Sequence, residues 1–231
     1  MSEPAPYKLL AWLSPAMPVG AYSYSHGLEA ALAAGLVTDA PTLRAYLETV
    51  LRHGSARLDA LFLRAAYQAE TDGACEGASL AAILTTAAAM RATSELALES
   101  TAQGRALLTV LRRAWPAPAL DGLADLCRRH AVEPPYAVVL GTAAAAQRLP
   151  LLPTLTAFLH AFAANLISAG IRLIPLGQSA GQELTAALEP TVHAAAATAL
   201  TDTLADAGTA TPALDLLSIA HETQYTRLFR S

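Results

Sequence analysis

The chain has 231 residues, of which 54% are apolar and only 15% charged, with a formal net charge of −4. That length suits one large domain with a proper core, since a chain of this size removes about 70% of its unfolded surface from water. Lys8 is the only lysine and the arginines are scattered, which excludes both the basic patch of a nucleic-acid binder and the lysine of a Walker A phosphate loop.

Taken in chain order, the N-terminal segment is not expected to be a signal peptide, because Ser14, Pro15 and Pro18 interrupt any apolar stretch. Leu13 to Glu29 reads LSPAMPVGAYSYSHGLE. Pro18 and Gly20 predict a turn there, and Ser23 or Ser25 followed by Glu29 predicts a helix entry. Leu43, Tyr46, Leu47, Val50 and Leu51 repeat along one helix face, with Asp39 as N-cap and Pro41 in the first turn. Leu58, Leu61, Phe62 and Ala65 restart the pattern after a break at Gly54. Asp72, Gly73 and Gly77 predict a loop. Ser79 to Trp115 reads as one or two alanine-rich helices ended by Pro116 and Pro118. A shorter helix carries Leu120, Leu123, Ala124 and Cys127, and Pro134–Pro135 opens another that runs to about Gln147.

Leu155, Phe158, Leu159, Phe162 and Leu166 give the strongest apolar stripe, and the other faces of that segment are nearly apolar too. A helix of this kind belongs in the middle of a bundle, here over about 155–174. It is too short and too spotted with Thr156, His160 and Asn165 for a membrane span, which needs ~20 predominantly apolar residues, so no membrane partner is expected. Then comes RLIPLGQSAGQ, Arg172 to Gln182, where Pro175 and Gly177 predict helix termination and a sharp restart. A helix is predicted from about Gln182 to Ala207, broken or kinked at Pro190. Pro212 opens a last short helix, and the chain runs out through HETQYTRLFRS, His221 to Ser231. No run alternates with period two, so the expected fold is all-α, a single-domain bundle of helices.

Three segments are denser in chemistry than helical scaffolding requires. Ser23, Ser25 and His26 stand close enough to suggest a serine nucleophile with a histidine base, but the G-x-S-x-G elbow is missing and an all-α chain lacks its strand-to-helix turn. The plainer reading is helix entry. The six histidines include no HExxH pair, and His221–Glu222 is the one tight pair that could touch a metal. Cys75 and Cys127 stand far apart and are expected to be reduced, buried thiols. Tyr225, Leu228 and Phe229 interleave with Arg227 and Arg230, the composition of an interface hot spot at a terminus where polar disorder is usual. The tail is therefore expected to dock on a partner, with folding back onto its own domain as the plainer alternative, and to be mobile without a partner.

Leu13–Glu29, the run NLISAGIRLIPLGQSAGQ (Asn165–Gln182), the tail, and Glu95, Glu99 and Gln103–Gly104 in a middle helix together resemble the urease accessory protein F family over nearly the whole chain. The resemblance implies a cytoplasmic all-α homodimer, without catalytic residues, cofactor or metal site of its own, acting as a nickel-insertion chaperone. It implies partners as well: the accessory protein called D or H, the P-loop GTPase protein G, and through their complex apo-urease, to which Ni²⁺ is delivered. The tail residues His221, Glu222, Gln224, Tyr225, Arg227, Leu228, Phe229 and Arg230 inherit binding of the D/H protein. Pro18, Gly20, Tyr22, Ser23, Glu29, Arg172, Gln178 and Gln182 are the expected face for the GTPase, whose activity the chain would regulate. Glu29 and Arg172, charged groups inside apolar motifs, suit a specificity contact. The competing readings are a small serine hydrolase using Ser23 or Ser25 with His26, and a metal-binding chaperone using His221.

Overall fold

A computed structural model describes residues 7–231; residues 1–6, part of the segment weighed as a signal peptide, lie outside the described residues. Among the described residues eleven α-helices, from α1 (Tyr7–Trp12) to α11 (Pro212–Glu222), are joined by short connections, with 3-10 turns at Ala21–Ser23 and Leu204–Asp206. Among the described residues there is no β-strand, only an isolated bridge between Cys75 and Ala78. The all-α expectation holds.

Most helix ends follow the local chemistry. Asp39 accepts from the Thr42 N–H while the Thr42 side chain takes the Asp39 N–H, and Pro41 lies in the first turn of α3 (Ala40–His53). Gly54 separates α3 from α4 (Ser55–Asp72), and left-handed Gly73 ends α4. The alanine-rich block resolves into α5 (Leu80–Ala89) and α6 (Ser94–Ala114), capped through Ser79 and Thr93. Pro118 opens α7 (Pro118–His130), and α8 (Tyr136–Ala146) follows Pro134–Pro135.

The tightest seam lies between α4 and α8. Every residue of α8 from Ala137 to Ala145 is buried, against Ala60, Leu63 and Ala66 among the buried residues of α4. Close approach depends on Gly141, where an added Cβ would run into the Leu63 carbonyl. Gly104 on α6 likewise lets that helix touch the Pro134 carbonyl. Each leucine fully buried in such a core contributes roughly 1.5–3 kcal/mol.

The apolar helix expected over about 155–174 is α9 (Leu151–Leu173). It begins before the apolar stripe because Pro153 sits in the first turn, where a missing N–H costs no helical bond. It packs on α2 (Leu28–Ala33), α3, α4, α8 and α10 (Gln178–Thr201), and shares the centre with the more completely enclosed α8. In composition α9 would pass for a membrane span, at a mean hydropathy of 1.4. α10 corrects both expected ends, starting at Gln178 and stopping at Thr201 rather than Ala207, and at Pro190 the helix is not broken. Pro190 and Ala186, whose carbonyl loses its N–H partner, are both exposed, so water can satisfy that carbonyl. Beyond Asp202, Thr203 and Asp206 cap a separate 3-10 turn. Helix α1 has no counterpart in the expectations; its Trp12 meets Trp115 edge-on and Lys8 reaches Gln147.

Candidate functional site

Helices α2, α6 and α11 converge on a chamber that no single stretch of sequence announces. Three glutamates lie in it, each less than a tenth exposed: Glu29 on α2, and Glu95 and Glu99 one turn apart on α6. Buried carboxylates are costly unless paired and hydrogen-bonded. Each one here is. His221 of α11, fully buried, turns Nδ1 to Glu95 Oε2 at 2.8 Å and Nε2 to Glu29 Oε2 at 3.2 Å. Arg227 donates to Glu95 Oε1 at 3.0 Å. The backbone N–H groups of Leu228 and Phe229 donate to the two oxygens of Glu29, at 2.7 and 3.0 Å.

The third glutamate anchors a second branch. Glu99 Oε2 lies 3.2 Å from His26 Nδ1 and accepts from Ser231 Oγ at 3.0 Å, and Glu99 Oε1 accepts from Gln103 at 3.3 Å. The other ring nitrogen of His26, Nε2, contacts the Ser55 hydroxyl. His26 itself is in the left-handed region at φ 59, a costly conformation for a non-glycine residue, and the Tyr46 hydroxyl holds its carbonyl at 2.6 Å. Burial pushes the Tyr46 phenol well above its ordinary range, with the Glu99 charge adding to the effect, so it remains a donor.

The tail therefore lies on its own domain instead of hanging free. The Ser25 N–H donates to the Ser231 carbonyl at 2.6 Å and the Arg230 N–H to the Ser23 carbonyl at 2.8 Å, two rungs of an extended pairing. Phe229 is buried under the Arg172 guanidinium, which sits 4.4 Å from its ring centroid and donates to the Tyr22 carbonyl at 2.8 Å. Partial burial lowers the pKa of Arg172 from its ordinary value. The expectation of a mobile tail fails on this arithmetic: a short segment buries little apolar surface, but this one supplies the donors that three buried carboxylates require.

The expected partner-binding residues divide by depth. Pro18, Tyr22, Gln178 and Gln182 are exposed, and Gly20 and Ser23 half-buried. Glu29 is buried and fully engaged, so it serves as an internal anchor and not as a surface contact. Arg172 is exposed but tied to Tyr22, Ser168 and Phe229, which brings the first motif, the second motif and the tail to one place. Within the tail, His221 and Phe229 point inward, Glu222 (held by Ser94 at 2.6 Å) and Gln224 are half-buried, and Tyr225, Arg227, Leu228 and Arg230 are exposed.

The serines expected to serve His26 are otherwise engaged: Ser23 Oγ donates to the Gly20 carbonyl at 2.7 Å, and Ser25 Oγ to the Ser231 carbonyl while accepting the Glu29 N–H. The serine at His26 is Ser55, far away in sequence. Among the described residues no group of three His, Cys, Asp or Glu side chains is arranged to hold a metal ion. Sequence reasoning passed over Glu95, Glu99 and Gln103 as site residues. Their signal was there, as polar groups at four-residue spacing along the buried face of α6.

A family profile for UreF matches residues 37–189. The chain is 50% identical over 225 residues to a urease accessory protein UreF of Bradyrhizobium diazoefficiens, covering 97% of this chain and 91% of that protein. It is also 50% identical over 225 residues to the UreF of Rhodopseudomonas palustris strain HaA2, covering 97% and 93%. To the UreF of Granulibacter bethesdensis it is 48% identical over 229 residues, covering 99% and 95%.

Proposed function

This chain belongs to the UreF family of urease accessory proteins, and on that premise we propose that its part in nickel delivery is that of a non-catalytic scaffold. In this reading it acts in the cytoplasm as a homodimer. It joins the D/H accessory protein and the GTPase protein G into one complex, which carries Ni²⁺ to apo-urease, and it regulates the GTPase through the face it offers. The observation that carries the reading is the two-sided tail. Its inner side, His221 and Phe229 with the Leu228 and Phe229 N–H groups, is spent on the fold. Its outer side leaves Tyr225 fully exposed and Leu228 62% exposed, and α11, which leads into it, exposes Leu216 and Ile219. Soluble domains rarely cluster large apolar side chains outward without a partner, and Tyr and Arg are enriched where partners bind most tightly.

The D/H protein is assigned to this outer side of the tail and α11. The GTPase is assigned to Pro18, Tyr22, Gln178 and Gln182, which stay free on the other motifs. The test is co-purification from cells expressing all the accessory proteins. Changing Tyr225 and Leu228 together to alanine is expected to lose the D/H protein while the chain stays folded. Changing Tyr22 and Gln178 to alanine is expected to lose only the GTPase. Retention of both partners by both variants would overturn the assignment.

A further inference from the structure

One cavity of about 410 Å³ gathers most of the polar groups that the fold leaves unsatisfied. Among the described residues six buried side-chain polar atoms lack a hydrogen-bond partner. Four of them belong to residues lining this cavity: Trp12 Nε1, Asp59 Oδ1, Arg91 Nη2 and Ser100 Oγ. Such orphans are few in native proteins, and their concentration at one place points to a ligand.

The charges in the lining say which kind. Asp59 is nine-tenths buried, and its Oδ1 lies 2.7 Å from Arg91 Nη2, close enough to balance charge but not aligned as a hydrogen bond. Arg91 also donates from Nε to the Ala87 carbonyl at 3.2 Å. Glu99 is met by His26, Gln103 and Ser231. Asp215 of α11 is the surplus carboxylate. It lines the same cavity half-buried, and among the described residues His26 is the one charged group that acts on it.

Water can serve Trp12 and Ser100, but it brings no charge to Asp215. A bare metal ion is a poor match. Among the described residues no three His, Cys, Asp or Glu side chains are grouped to hold one, and Leu13, Met17, Met90 and Phe158 make much of the wall apolar. An ammonium or guanidinium on an aliphatic stem meets both halves of the lining. Its head faces carboxylates, and its methylenes lie along apolar side chains. The cavity is large enough for such a group, since ligand pockets run from roughly 300 to 1,000 Å³.

The position of the opening identifies the source of that cation. Pro15, Pro18 and Tyr22 of the first motif are exposed and also line the cavity, so it opens on the face assigned above to the GTPase. We propose that the cavity receives a lysine or arginine side chain of the docked GTPase, with Asp215 as its counter-charge and Asp59 beside it. This rests on the scaffold reading and names the contact that holds that partner. A side chain seated in a desolvated pocket and paired with a buried charge is the kind of anchor on which an interface depends.

The test has two arms, both on the full chain. In the first, calorimetric titration compares butylguanidinium with n-pentanol, an uncharged molecule of similar reach. Butylguanidinium is expected to bind in the millimolar range, with pentanol far weaker, and Asp215→Asn to weaken butylguanidinium about tenfold, the loss of one charge-assisted contact. In the second arm, co-purification from cells expressing all the accessory proteins is expected to recover about tenfold less GTPase with Asp215→Asn, while the D/H protein is retained. A denaturation midpoint at neutral pH no lower than the parent's checks that the variant is folded. A merely structural Asp215 would leave both binding readouts unchanged. No binding of butylguanidinium, equal binding of pentanol, or undiminished GTPase capture by Asp215→Asn would overturn the proposal. Butylguanidinium binding with undiminished capture would mean that the cavity takes a free amine instead. A parent chain that captures no GTPase overturns the scaffold reading, and this contact with it; a failure of the contact alone leaves parent capture intact.

Discussion

The seam between α4 and α8 and the chamber beneath the tail are both buried, and they are held by opposite means. The seam is mostly alanine, leucine and valine, with Thr142 and one glycine, where the carbonyl of one helix comes within reach of the other's Cα. Its free energy comes from apolar area and dispersion, and it is sensitive to volume. The chamber holds three carboxylates, two imidazoles and a guanidinium, and it is sensitive to loss of any partner. The seam explains why the helices pack; the chamber explains why the last residues lie where they do.

The largest expected effect is in the chamber. Glu29→Ala strands His221 and the Leu228 and Phe229 N–H groups at once, and is expected to cost about 3–5 kcal/mol. Chemical denaturation measures that cost, and limited proteolysis should show early cleavage after Arg227. In the seam, Gly141→Val forces a side chain into the Leu63 carbonyl and is expected to cost roughly 1–3 kcal/mol by the same denaturation. If the glycine change cost more than the glutamate change, the contrast between the two regions would be the wrong way round.

How much of this was legible beforehand follows the same division. Periodicity and Pro/Gly punctuation located α3, α4, α7, α8 and α9 because each owes its existence to its own apolar face. The tail could not be read that way. Its inner surface is specified by Glu29, Glu95 and Glu99, up to 200 positions away, and a buried carboxylate looks in sequence like any surface glutamate. Ser55 was missed for the same reason: its partner His26 lies 29 positions upstream across a turn, a helix and a loop.

Smaller effects sharpen the contrast. The Thr142 hydroxyl is buried in the seam and has no hydrogen-bond partner, so Thr142→Val should stabilise by about 1 kcal/mol, seen as a higher denaturation midpoint. Arg172→Ala removes the cation over Phe229 and the bond to Tyr22. It should cost roughly 1 kcal/mol and loosen the tail, which amide exchange at Phe229 would report. The smallest effect concerns Asp215, beside the chamber, whose carboxyl burial raises above its ordinary value, with His26 acting the other way. A raised carboxyl favours the folded state below its unfolded pKa, and that advantage is lost as the pH rises through the folded value. Asp215→Asn should therefore match the parent in acid and become the more stable of the two as the pH climbs to neutrality, by comparison of denaturation midpoints.

The tail also sets an order of events during synthesis. Glu29 leaves the ribosome about 200 residues before the backbone groups that satisfy it, and Glu95 more than 120 residues before His221. At roughly 5–20 residues per second, the nascent chain waits many seconds with these acids unpartnered. The α4–α8 seam can close in that interval and the chamber cannot. A chain interrupted after α10 would carry its helices but keep an open, negatively charged cleft, a visible mark of incompleteness for any protease or chaperone that samples new protein.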